Sequence, residues 1–207
     1  MAPSHGRESR STRLREAYGG SWGSSSQDLV RLARLLHSAS SRYAEASTGR
    51  DSPYTLAGIP VLFSALRCVL TELNGGLWAP LPTDSTIRDA LATSANDVVV
   101  LREYYKLPST LLRDLDLLIE VRHEIVHPAH RPGPERDNTP DYLRSLRDAN
   151  LLNVRDAGEG PIWLDQLQSH PLFTWAFQTI RETVAVLLRA HNVHPSTAEA
   201  ILMCYRF

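Results

Sequence analysis

Cysteine is scarce in this chain of 207 residues, where Cys68 and Cys204 are the only two. Two cysteines cannot build the dense disulfide framework of small secreted domains or a cysteine zinc cluster. The first 26 residues contain no apolar core of the kind that a secretory signal needs. We therefore expect a soluble cytoplasmic protein.

Long apolar runs and an excess of one charge are also lacking. No run approaches the roughly 20 apolar residues of a membrane span, so no membrane association is expected. The net charge is −1, which excludes a global basic field for nucleic acids but leaves a local patch open. Lys106 is the only lysine among 22 basic residues, and the arginines suit bidentate phosphate recognition. No glycine-rich phosphate loop is present.

Helical periodicity dominates the rest of the chain. Residues 1–26, rich in Ser, Gly and Arg, are predicted to be a disordered tail, and residues 27–207 one domain. Apolar spacing predicts helices over 27–46, 54–75, 85–105, 109–126, 140–150 and 171–191, with a terminal turn or helix over 196–206. Apolar segments at 151–154 and 162–164, on either side of RDAGEG, predict a hairpin. The fold class is all-α: a bundle of four to five main helices with a small β-hairpin appendage.

The stretch VRHEIVHP, residues 121–128, holds two short motifs that share His127. His123 to His127 reads H-E-x-x-H, in which two histidines on one helix face bind zinc beside a glutamate. Arg122 to His127 reads Arg, four residues, His. Both motifs are short enough to occur by chance, so their context decides between them.

Three features of the context disfavour the zinc motif. Pro128 disfavours helical geometry at His127, so its i,i+4 alignment with His123 is unreliable. Arg122 places a fixed positive charge beside the first ligand. No third ligand is evident, because His130 stands where one extended form of the motif has glycine, inside a proline-rich loop. We therefore expect no bound metal and no other cofactor, and a zinc hydrolase remains the least favoured alternative.

The Arg–His motif lies at the end of a long apolar helix in an all-α chain, as it does in one known family. Arg122, the polar His123 and then His127 resemble the hallmark of HEPN domains (higher eukaryotes and prokaryotes nucleotide-binding). LTELNGG, with Glu72 and Asn74, resembles the upstream helix of that family. The resemblance covers about residues 29–190 in architecture but only six residues in specific motif. Many HEPN proteins have Asn or Asp where this chain has His123.

The resemblance implies a metal-independent endoribonuclease whose composite site forms between two copies of the chain. His127 would be the general base and acid, and Arg122 would hold the phosphate. His123 and Glu124 would orient or tune them. A helix C-terminus favours a protonated histidine. On an ideal helix Arg122 and His127 point about 140° apart, so a second chain, or a distorted helix end, would have to bring the two groups together.

Other residues and partners complete the hypothesis. His130, Arg131 and Arg136, in the long loop after the motif, are candidate RNA contacts. The resemblance implies a toxin or antiviral nuclease with RNA as substrate, a homodimeric state and a nucleotidyltransferase-type antitoxin as partner. A catalytically inactive HEPN-like module that binds nucleotide or protein is the alternative, and the neutral overall charge favours it. Structural roles also stay open: Arg122 could pair with Glu120 or Glu124, and His127 could cap its helix.

Overall fold

The computed structural model describes residues 25–47, 50–74, 101–102, 105–128, 140–153 and 163–207. These residues are mostly helical, and among them there is no strand. The helices are α1 (Ser25–Ala46), α2 (Tyr54–Asn74), α3 (Ser109–Val126), α4 (Asp141–Asp148), α5 (Trp163–Leu167), α6 (His170–Ala190) and α7 (Pro195–Met203). The predicted all-α class is confirmed.

The predicted helix bounds agree closely with α1, α2, α3 and α6, because proline and apolar periodicity mark their ends and faces. The hairpin is not found as predicted. Trp163 and Leu164, assigned to its second strand, begin the short helix α5, in which Leu164 and Leu167 share the inward face. Three predicted segments lie outside the described residues: the loop RDAGEG, the third predicted helix up to residue 100, and the tail up to residue 24.

Helix α2 lies at the centre of the protein, packed mainly against α1 and α6. Seven of its apolar side chains are at most 2% exposed: Ile59, Leu62, Ala65, Leu66, Val69, Leu70 and Leu73. The stretch Tyr54–Leu73 is the one helix among the described residues with the length and composition to cross a membrane, which the sequence analysis did not expect. Its burial between two partner helices gives this apolarity a role inside the protein core.

Gly58 allows α2 and α6 to approach closely. A Cβ atom placed on Gly58 would lie 1.9 Å from Cζ of Phe173, far inside contact distance. Phe173 is fully buried and packs against Phe177, with 5.9 Å between the ring centroids. The phenyl ring therefore occupies the space that any other residue at position 58 would need for its side chain.

Polar contacts join the residues before α2 to the residues before α6 and after α4. Ser52 N–H donates to Gln168 O at 2.9 Å, and His170 N–H donates to Arg50 O at 2.9 Å. The Arg50 guanidinium also donates to Asn150 Oδ1 at 2.9 Å. We call these hydrogen bonds of Arg50, Ser52, Asn150, Gln168 and His170 the clasp. The clasp sets where α2 and α6 begin relative to each other.

His37, a residue of α1, is buried against α6. The sequence gives no signal that this histidine is buried. Its Nε2 is 2.9 Å from Thr174 Oγ1, and its ring stacks on Phe207 with centroids 4.2 Å apart. The His170 ring centroid is 4.7 Å away, and His170 Nδ1 is 2.8 Å from Ser40 Oγ. Burial first and the neighbouring His170 second lower the pKa of His37 to about 4.

Gly58→Ala should destabilise the protein by about 1–3 kcal/mol, because the new methyl group overpacks the contact with Phe173. An ordinary helix position would gain stability from the same change. Ser64→Ala, on the exposed side of α2, is the matched control and should have a small effect. Urea unfolding followed by circular dichroism measures both. Phe173→Leu should reduce the penalty of Gly58→Ala, and an unchanged penalty in the double variant would contradict the steric explanation.

Acid should weaken the fold through His37. The unfolded chain takes up this proton near pH 6.5, whereas the folded chain takes it up only near pH 4. Between these values the unfolded state binds more protons, so the free energy of unfolding falls as the pH is lowered, by about 3 kcal/mol at most. Burial also lowers the pKa of His170, and this acts in the same direction. Urea unfolding between pH 7.5 and 4.5 measures the loss.

The control for this acid effect is a pair of histidine variants. His37→Gln retains a polar group for Thr174 but cannot titrate, so it should show a shallower pH dependence than the parent. His194→Ala removes an exposed histidine and should leave the pH dependence as it is. A steeper dependence in His37→Gln would contradict the assignment.

Candidate functional site

Helix α3 presents the VRHEIVHP motif because one of its faces is held in the core. Leu111, Leu115, Leu118 and Val121 are buried at helical spacing, against α2 and α6. The helix begins directly after Pro108 and ends at Val126, with His127 as its C-cap at φ −130° and ψ 66°. Pro128 follows and cannot continue the helix. The predicted helix end at the motif is confirmed.

The outward residues of the last turns form one exposed surface, which we call the α3-end surface. It consists of Arg122, His123, Val126 and His127, all of them exposed. At about 100° per residue, these four positions span about 140° around the helix, with Arg122 at one edge and His127 at the other. Both predicted catalytic residues are therefore accessible to a large ligand such as a nucleic acid.

The two histidines of this surface lie close together, although Pro128 directly follows His127. Their ring centroids are 5.4 Å apart at an interplanar angle of 53°. His127 leaves helical geometry, but its N–H still donates to His123 O at 2.8 Å, so the last helical turn is closed. Proline restricts the backbone of the preceding residue, and here the restriction acts only after that turn is complete. The prediction that His127 lies at or past the end of the helix is confirmed, and its ring nevertheless stays close to that of His123.

Arg122 has no hydrogen bond or ion pair with any residue that the structure describes, although Glu120 and Glu124 are near in sequence. The suggested pairing with either glutamate is absent from this part of the chain. Arg102, by contrast, contacts both oxygens of Asp116, a residue of α3, at 2.7 and 2.8 Å. The guanidinium of Arg122 is thus available for a planar anion such as a phosphate.

Glu124 points inward, away from the α3-end surface. It is 4% exposed, and its Oε2 accepts a hydrogen bond of 3.3 Å from the hydroxyl of Tyr142 in α4. A buried carboxylate needs such donors, because an unpaired buried charge is strongly destabilising. Sequence reasoning missed Tyr142, although it lies on the apolar face of α4 with Leu143 and Leu146. The tuning role predicted for Glu124 would have to act from within the core.

The structure describes only some of the other predicted site residues. Glu72 accepts hydrogen bonds from the backbone N and the hydroxyl of Ser26, at 3.1 and 2.6 Å. A carboxylate there stabilises the first turn of α1. Asn74 ends α2, and its side chain lies outside the description. The candidate RNA contacts all lie outside the described residues: His130, Arg131 and Arg136.

Three metal-binding side chains do not come together anywhere in the described part of the chain. His123 and His127 therefore have no third histidine, cysteine or carboxylate partner within that part. Such a third protein ligand is what a catalytic zinc site ordinarily requires. The zinc hydrolase alternative gains no support from the described geometry.

Tyr142→Phe should lower the free energy of unfolding by about 1–3 kcal/mol, because it removes a donor to the buried carboxylate of Glu124. Chemical denaturation at pH 7 measures the change. Tyr43→Phe, at an exposed tyrosine of α1, is the matched control and should have little effect. Equal stability losses in the two variants would show that the Tyr142 hydroxyl has no special contact.

Comparison with known proteins adds no relative: no protein-family model matches the chain, and no curated protein or solved structure matches it. The resemblance to HEPN domains consequently depends on the motif from Arg122 to His127 and on the helical architecture around it.

Proposed function

We propose that the chain is a metal-independent endoribonuclease of the HEPN type, with Arg122 and His127 in its active site. The observation that supports this most directly is the α3-end surface. It exposes an arginine and two histidines at one helix end, and the arginine has no ion pair among the described residues.

The proposed chemistry needs only these side chains and the RNA. The imidazole of His127 removes the proton from a ribose 2′-hydroxyl, whose oxygen attacks the adjacent phosphorus. The bond from phosphorus to the 5′-oxygen breaks, and that oxygen takes up a proton from the imidazolium of a His127, the residue proposed as both general base and general acid. The products are a 2′,3′-cyclic phosphate and a free 5′-hydroxyl. The fork of Arg122 binds the non-bridging oxygens and offsets their charge in the transition state.

A second copy of the chain would complete this site. Arg122 and His127 would lie about 140° apart on an ideal helix, so a second chain, or the non-helical backbone at His127, has to bring both groups to a single phosphate. Two copies with their α3-end surfaces facing each other would bring an arginine of one to a histidine of the other. Exposed Val126, 40% accessible between the polar residues, would be covered in such a dimer. A cytoplasmic toxin or antiviral nuclease, restrained by an antitoxin, is the setting that the resemblance implies.

Arg122→Ala and His127→Ala should each reduce RNA cleavage by about 10²–10³-fold, because each removes a group that acts in the transition state. The assay uses the full chain, labelled RNA and excess EDTA, with product ends analysed for cyclic phosphate. Matched controls are Arg113→Ala, an exposed arginine on the same helix, and His194→Ala, an exposed histidine elsewhere. Both controls should cleave at the parent rate.

Two results would overturn the proposal. Cleavage that disappears in EDTA and returns with zinc would support the hydrolase alternative. A folded chain that binds nucleotide or RNA without cutting it would support the inactive HEPN-like module, which the net charge of −1 also favours.

A further inference from the structure

The pair His123 and His127 has the geometry of a two-histidine metal chelate. In a tetrahedral site with metal–nitrogen distances of about 2.1 Å, the centroids of two ligating imidazoles lie about 5 Å apart. The observed separation is 5.4 Å. Both rings are exposed, and no described residue forms a hydrogen bond with either ring. Small rotations about the side-chain torsions would direct one nitrogen of each ring at a common ion.

The position of the pair also favours a cation. The rings lie over the last turn of α3, where the carbonyl ends of the helix carry partial negative charge. Arg122 opposes a cation, but its position is about 100° from His123 and further from His127, and its exposed guanidinium can turn into solvent. The helix end therefore attracts the ion from close by, whereas Arg122 repels it from another side of the helix.

The chemistry of the pair selects the kind of ion. Imidazole nitrogen suits copper, nickel and zinc, whereas magnesium and calcium require oxygen ligands. Among the residues that the structure describes, the pair has no third protein ligand, and each coordination position without a protein ligand would hold water. Such a site binds its ion reversibly and leaves room for exchange, as a regulatory site requires and a structural zinc site does not.

We propose that His123 and His127 together bind a divalent transition-metal ion of the zinc class, and that this ion inhibits the chain. The inhibition depends on the proposed ribonuclease function. An ion on the imidazole of His127 occupies the lone pair that would accept the 2′-hydroxyl proton. The same ion would lie on the histidine side of the α3-end surface, where it would add positive charge between the facing copies of the chain. Metal is thus an inhibitor in this proposal and takes no part in the cleavage reaction.

Binding is tested directly by isothermal titration calorimetry of the full chain with zinc chloride and with nickel chloride. One ion per chain should bind, and magnesium should not. His123→Ala, His123→Gln and His127→Ala should each weaken binding by about tenfold or more, because one of two ligands is lost. His130→Ala and His194→Ala are the controls and should bind as the parent does. Circular dichroism confirms that each variant is folded.

Two calorimetric results would overturn the chelate: parental affinity in the His123 and His127 variants, or a loss of affinity confined to His130→Ala. The inhibition has its own measurement, in which zinc is titrated into an EDTA-free RNA cleavage assay. The half-inhibitory zinc concentration should equal the calorimetric dissociation constant. Bound zinc without inhibition would refute the regulatory role. A chain that cleaves no RNA at all refutes the proposed function, while calorimetry still decides the metal site.

Discussion

The close approach of α2 and α6 at Gly58 and Phe173 is the contact on which the other helices depend. α1 packs against both members of this pair, α3 packs against both from another side, and α7 packs on α6. A protein interior is packed nearly as densely as a crystal, so a displacement of one helix of the pair would be transmitted to all of these neighbours. The space beside a single glycine therefore determines where the buried face of α3 lies, and with it the orientation of the motif.

Helix α3 has two kinds of side chain: buried ones that hold it in the core and exposed ones that form the α3-end surface. The inward side chains, such as Leu115, Leu118 and Val121, are fully buried, and Glu124 is held inside by Tyr142. The outward side chains at the end of the helix contribute little to the core and remain accessible. This division lets an ordinary amphipathic helix expose an arginine and two histidines that can change without loss of core packing.

The sequence was sufficient where apolar spacing and proline act together. The bounds of α3 follow from Pro108, Pro128 and the buried leucines between them, and these predict the position of the motif at a helix end. Short segments were harder. Trp163–Leu167 is a five-residue helix, and an apolar run of that length has no periodicity that separates helix from strand.

The sequence also did not predict which polar side chains are buried. His37 and Glu124 are polar residues on amphipathic helices, and neighbours from distant parts of the chain enclose them. These are α6 and Phe207 for His37, and Tyr142 of α4 for Glu124. The sequence left the alignment of His123 with His127 open for a related reason. Backbone preference before proline describes one residue, whereas ring proximity depends on how the whole last turn closes.

The clasp has a consequence for how the chain folds. α1 and α2 are consecutive helices, so they can meet as soon as both have formed. Arg50 and Asn150 are 100 residues apart, and closing a loop of that size carries a larger entropic cost than closing a short link. Contacts between distant residues slow folding, because that cost precedes the gain from the contact. The start of α2 thus adopts its final polar partners only after α4 and α6 have been added, and the α1–α2 pair must remain associated through its apolar faces until then.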